Sequence, residues 1–245
     1  MVALRSGRRG YAVAILTVTR LRTNLGPSSR TADSSWRRDI REGFSWMWQR
    51  PFFRVLLSWA AVNNLLGDAV FFVVFLRMIT EGYAPTAIGL VSTAAGAGGL
   101  IGAALAPAIV SRLATGRLTV LIAWLSALPL IPLIWWGSPA VVAAVTFSLL
   151  LINPAGNAGI SAYRMAITPD ALQGRVSAAS KFLALSVLPL SPLLGGWLLH
   201  AYGSAVAIAA LIAGSAICAT LVTASRSIRE VPRPDLWPQV ADQGG

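Results

Sequence analysis

Charge is what this chain of 245 residues lacks: only 12% of it is Asp, Glu, Lys or Arg, against about 25% in an ordinary soluble domain. Between Val55 and Ser225 the ionised groups are Asp68, Arg77, Glu81, Arg112, Arg117, Arg164, Asp170, Arg175 and Lys181. Nine charges over that length cannot solvate a globule, so a soluble domain is excluded and an integral membrane protein is implied. Cysteine is almost absent too. Cys218 is the single one, which rules out an intramolecular disulfide and a cysteine metal cluster. His200 is the sole histidine, so no histidine-based metal site is expected, and nothing points to a cofactor.

What the chain has instead is arginine. The net charge is +11, with mean hydropathy +0.67. Nucleic-acid binding is the first class such a charge suggests, but the distribution speaks against it. Residues 1–50 hold ten Arg against Asp33, Asp39 and Glu42, and most other Arg fall in short gaps between apolar runs. That is the pattern of anchoring charge on the cytoplasmic side of a membrane, not of a groove that follows phosphates. The apolar piece Tyr11–Val18, closed by Arg20 and Arg22, is too short to span, and its flanks do not fit a signal peptide or a twin-arginine leader despite Arg8 and Arg9.

A span needs about 20 mostly apolar residues. Six stretches qualify: 55–78, 87–110, 118–136, 140–163, 177–202 and 204–224. The gaps are short enough to join antiparallel neighbours. One side collects the arm, Arg112, Arg117, Arg164, Arg175, Lys181 and the Arg of the tail; the other has Arg77 alone, offset by Glu81. The positive-inside rule then places both termini in the cytoplasm. Trp135 and Trp136 at one membrane face, and Trp46, Trp48 and Trp59 at the other, fit interfacial belts. The expected organisation is a basic cytoplasmic arm without fixed structure (1–36), an amphipathic interfacial segment (37–54), a six-helix transmembrane bundle (55–225) and a cytoplasmic tail (226–245).

Amide and carboxylate side chains inside the spans are confined to two of them. "VNNLLGDAV" brings Asn63, Asn64 and Asp68 into the first, and "NPAGN" brings Asn153 and Asn157 into the fourth. Asn64 with Asp68, and Asn153 with Asn157, are four residues apart and share a helix face. A carboxylate at the bilayer centre costs about 2.5–3.5 kcal/mol on insertion scales, so these groups should face the bundle interior or an aqueous cavity. Interhelical hydrogen bonding is the plainer role for the amides; a substrate or proton pathway is the functional one. A carboxylate held deep in hydrocarbon favours its neutral form, which makes Asp68 the candidate proton carrier.

The two polar helices are the first members of successive three-helix sets, as a 3+3 inverted repeat would arrange them at one interface. The second members hold the small and helix-breaking residues. Gly98 and Gly102 make a G-x-x-x-G spacing, and Pro189, Pro192, Gly195 and Gly196 cluster in the fifth span. They suit either gating or close packing.

Four stretches resemble the carboxy-terminal half of a major facilitator superfamily transporter of the bacterial drug-efflux type. "RRDIREGFSWMWQRP" is similar to the central loop leading into the family's seventh helix, and "IGLVSTAAGAGGLIGAALAP" to the eighth. "TPDALQGRVSA" resembles the loop between the tenth and eleventh helices, and "PLSPLLGG" the eleventh. The likeness covers about residues 37–225. It implies that the first and fourth spans line a central cavity, and that the chain is half of a twelve-helix fold, exporting a small hydrophobic or amphipathic compound against protons. In "SRLATGR" Arg112, Gly116 and Arg117 match the family's loop signature, but Ser111 stands where an Asp is usual. Arg164, Asp170 and Arg175 complete the cytoplasmic loop set. "SPLLGG" echoes the antiporter motif with Ser191 for its first Gly.

Six spans in place of twelve imply a fragment, or a half that assembles with a second six-helix half or as a homodimer. The alternative is a truncated half that packs in a membrane complex without transporting. An intramembrane protease is excluded as a further class. Ser161, in a G-x-S context, and His200 should lie at opposite membrane faces, about 30 Å apart, beyond the reach nucleophilic catalysis requires.

Overall fold

The structure, a computed structural model, describes residues 36–237, with side chains from Arg41 onward. The arm expected over 1–36 and the end of the tail therefore fall almost wholly outside the described residues. Within them the chain is all helical, with no strand. Helix α1 covers Trp36–Trp48, α2 Pro51–Thr80, α3 Pro85–Arg112 and α4 Thr115–Leu125, followed by a 3-10 stretch at Leu128–Ile134. Next come α5 (Pro139–Ala166), a 3-10 turn at Asp170–Leu172, α6 (Gln173–Leu185) and a 3-10 turn at Leu188–Leu190. Finally α7 covers Ser191–Ala224, α8 Arg226–Arg229, and a 3-10 turn Pro234–Leu236.

The helix boundaries follow local chemistry. Pro51, Pro85 and Pro139 open α2, α3 and α5, where a missing N–H costs nothing and the fixed φ suits the first turn. Gly82 lies just beyond the end of α2 with φ +79°, a left-handed backbone that glycine adopts without a Cβ penalty. Gly203 interrupts α7 with φ 78° and ψ 169°. Residues on both sides of this break lie against α2, Gly195 beside Ala69 and Gly214 beside Leu66. The chain therefore turns back on itself there.

Five helical stretches are long and apolar enough to cross a membrane: 51–80, 85–112, 115–134, 139–166 and 170–224. The chain is thus built as a membrane protein. Its outward-facing side chains agree: Leu100 is 76% exposed, and Leu90, Ile217 and Leu221 also point outward. A surface of that kind is stable against lipid and a liability in water.

Two pairings dominate the packing, α3 on α5 and α2 on α7. The core is divided along the bundle into two apolar clusters. One, at the end that carries most of the basic residues, joins Met47, Phe53, Leu56, Tyr163, Val176, Val222 and Ile228. The other joins Val70, Val73, Met78, Leu130, Leu133, Val142, Ile208 and Leu211. Asn63 and Asn64 sit on α2 between them.

Helix α1 is docked rather than lying loose. Met47 is buried, Ser180 Oγ lies 3.1 Å from its sulfur, and Gly43 lets the Arg175 backbone approach closely. Its exposed face carries the stacked rings of Phe44 and Trp48, 5.4 Å apart.

Candidate functional site

Adjacent residues on a helix point about 100° apart, so Asn63 and Asn64 reach different neighbours. Asn63 Oδ1 accepts a hydrogen bond from Ser126 Oγ at 2.8 Å, just past the end of α4. Asn64 Nδ2 donates to the Ala184 carbonyl at 2.9 Å, in the last turn of α6. Each amide thus reaches the point where a neighbouring span leaves the α-helix. A bond of this kind contributes about 0.6–2 kcal/mol in a membrane.

Asp68 is different. One turn beyond Asn64, its side chain is exposed on the protein surface and makes no hydrogen bond or ion pair among the described residues. Asn153 and Asn157 are exposed as well, on α5. Asn157 Nδ2 donates to Asn153 Oδ1 at 2.6 Å, which leaves the Asn153 amide N–H groups and the Asn157 side-chain carbonyl oxygen without a partner among the described residues. Helices α2 and α5 meet at the basic end, where the rings of Phe52 and Tyr163 stand 5.0 Å apart edge to face. Counting 1.5 Å per residue from that contact, Asn157 lies about 9 Å along its helix, Asn153 about 15 Å and Asp68 about 24 Å. The two amides form one unit, and the carboxylate sits roughly two turns further along.

The glycines and prolines are placed by packing. A Cβ on Gly98 would run into the Phe147 carbonyl, and one on Gly102 into that of Leu151, so both let α3 lie directly on the α5 backbone. Gly195 does the same for α7 on α2, where a Cβ would come 3.0 Å from the Ala69 carbonyl oxygen; Gly196 has more room. Pro189 lies in the 3-10 turn after α6, and Pro192 in the first turn of α7.

The loop residues separate into four groups. Arg112 and Arg117 are exposed. Gly116 lies under the Ile228 carbonyl, and the Thr115 and Gly116 N–H groups donate to the carbonyls of Pro232 and Val231 at 3.3 and 3.2 Å. The start of α4 is thereby capped by the chain after α8, and Trp237, close to Tyr163, holds that segment down. Asp170 accepts from Gln173 Nε2 at 2.9 Å, and Arg175 pairs with Glu42 at 2.7 Å. Arg164 is half-buried, its Nε without a partner among the described residues.

Sequence reasoning missed two contributors, Ser126 and the Ala184 carbonyl, and read only a motif departure in a further residue, Ser191. The last is fully buried, and its Oγ has no hydrogen-bond partner among the described residues. Ser161 and His200 lie far apart along the bundle, Ser161 near Tyr163 of the basic-end core and His200 beside Leu199 of the opposite one. No group of three or more His, Cys, Asp or Glu suited to a metal occurs among the described residues.

No protein-family model, curated protein or solved structure matches the chain.

Proposed function

We propose that the chain is a transport half of the major-facilitator type, which moves a small hydrophobic or amphipathic compound across the cell membrane in exchange for protons. The observation that carries this is the exposed polar set, Asp68 with the Asn153–Asn157 pair, the carboxylate and amide side chains that face outward in the middle of α2 and α5. Polar groups that face outward at membrane depth need water or a protein partner. A cavity closed by a second six-helix half, or by a second copy of this chain, supplies both.

In this arrangement the chain crosses six times. The stretch 170–224 would be about 80 Å long as one straight helix, far more than the roughly 30 Å of hydrocarbon, and the turn at Gly203 divides it into two crossings. The excess of Arg at one end puts both termini in the cytoplasm. The Asn153–Asn157 pair offers outward donors and an acceptor to substrate, and Asp68 exchanges a proton. Asn63 and Asn64, whose amides bond to neighbouring spans, shape the cavity wall from behind.

The test is export of a lipophilic cationic dye from vesicles energised by a proton gradient, with the chain alone and with a partner half co-reconstituted. Proton-driven export that Asp68→Asn abolishes supports the proposal. Intact export by Asp68→Asn removes the proton role. No export in either arrangement favours a chain that packs in a complex without transporting.

A further inference from the structure

The chain repeats a ten-residue segment. Residues 125–134 read "LSALPLIPLI" and residues 185–194 read "LSVLPLSPLL", identical at seven of ten positions and sixty residues apart. They fall in two elements of the same build: α4 and α6 each start at the basic end and stop at the first Leu of the segment, Leu125 and Leu185. A 3-10 turn then begins at the same position of each, Leu128 and Leu188.

The hydrogen bonds repeat as well. The Ser126 amide donates to the Ile122 carbonyl and the Ser186 amide to that of Phe182, both at 2.8 Å. Ser126 Oγ lies 2.8 Å from the Ala123 carbonyl, which shares the one hydroxyl proton with Asn63 Oδ1, and Ser186 Oγ bonds to the Leu183 carbonyl at 3.2 Å. Leu130 donates to Ala127 at 3.2 Å, and Leu190 to Val187 at 3.0 Å. The cause lies in the prolines. Pro129 and Pro189 have no N–H for the carbonyls of Leu125 and Leu185, and Pro132 and Pro192 have none for those of Leu128 and Leu188. Two prolines three apart remove two rungs of the α-ladder within one turn, and the chain tightens into 3-10 turns.

Both breaks are fastened to one place. Asn63 takes the hydroxyl of the first segment and Asn64 the carbonyl next to the second. The fastening lies between the two apolar core clusters, one containing Ala123 and Ala179 before the breaks and the other Leu130 and Leu133 after the first. At the second break the buried Ser191 hydroxyl is unpaired among the described residues, whereas its counterpart in the first is Ile131. An unpaired buried hydroxyl disfavours the conformation that buries it.

We propose that the two segments are matched hinges at which the broken spans bend, and that Asn63 and Asn64 are the pins that hold them closed. The hinges stand whether or not the chain transports, because the pins are backbone and side-chain contacts within the chain.

Hydrogen–deuterium exchange of the full chain in nanodiscs tests this. Asn63→Ala should speed exchange across 126–130, and Asn64→Ala across 184–190, each by about five- to ten-fold. Exchange at 207–212, in the second apolar cluster, should not change in either variant. Unchanged exchange at both breaks overturns the hinges, and so does a uniform rise that includes 207–212, which would make the asparagines general supports of the fold. The paired substitution Pro189→Ala with Pro192→Ala restores two N–H groups and should slow exchange at 187–190 by a similar factor. Equal or faster exchange there contradicts the hinge.

Discussion

Replacing Gly102 by alanine adds one methyl group and tests how α3 and α5 are held together. An ideal Cβ at this position falls on the Leu151 carbonyl and 3.0 Å from the Leu150 carbonyl oxygen. These atoms belong to the α5 hydrogen-bond ladder and cannot rotate aside as a side-chain tip would, so the helices must part. Overpacking of this kind costs about 1–3 kcal/mol. Six residues earlier in the same helix, a methyl on Gly96 would meet nothing within 4 Å. There, alanine should gain up to about 1 kcal/mol from helix propensity alone. The two substitutions are chemically identical, so the propensity gain cancels and their difference, about 1–3 kcal/mol in favour of Gly96→Ala, isolates the packing. Thermal unfolding in one detergent, followed by the fluorescence of the nine tryptophans, measures it. If Gly102→Ala is as stable as Gly96→Ala, the helices are not in backbone contact and the reasoning fails.

Other predictions concern the basic end. Gly116→Ala places a methyl on the Ile228 carbonyl and should free the segment after α8, at a cost of about 1–3 kcal/mol. The expected sign is new trypsin cleavage after Arg229, and protection equal to the parent chain would contradict it. Glu42→Gln breaks the pair with Arg175, whose side chains are 52% and 33% exposed. The loss should stay within about 1 kcal/mol and vanish at high salt. A larger drop in thermal unfolding would show that the pair is more than a surface contact.

The five long apolar stretches were legible because scarcity of charge is a property of whole segments. The breaks in two of them were not, since proline alone does not decide. Pro107 and Pro154 sit inside continuous α-helices, while Pro129 with Pro132, and Pro189 with Pro192, stop theirs. The difference is the spacing of three, together with the serine that bonds back at each break, and the sixty-residue repeat was the available signal. The amides show the same limit. Helical spacing put Asn64 and Asp68 on one face, yet Asn64 meets the Ala184 carbonyl while Asp68, one turn on, has no hydrogen-bond or ion-pair partner among the described residues. Periodicity gives a direction around the helix, and the neighbour at each level comes from tertiary packing. For the same reason Gly98 and Gly96 looked alike in sequence, although only Gly98 has a backbone against it. The docking of the chain after α8 depends on Trp237 reaching Tyr163, a contact between residues 74 positions apart that no local pattern encodes.

The central claim is that the outward polar groups of α5 face a water-filled cavity. The direct test replaces Asn153 or Asn157 by cysteine, one at a time, in a Cys218→Ala background, with Leu100→Cys as the lipid-facing control. The chain, co-reconstituted with a partner half or as two copies in one nanodisc, both faces open, is treated with a membrane-impermeant maleimide. The account predicts rapid labelling at 153 and 157 and none at 100. Labelling at neither 153 nor 157 would place these groups against lipid or buried protein and contradict the cavity.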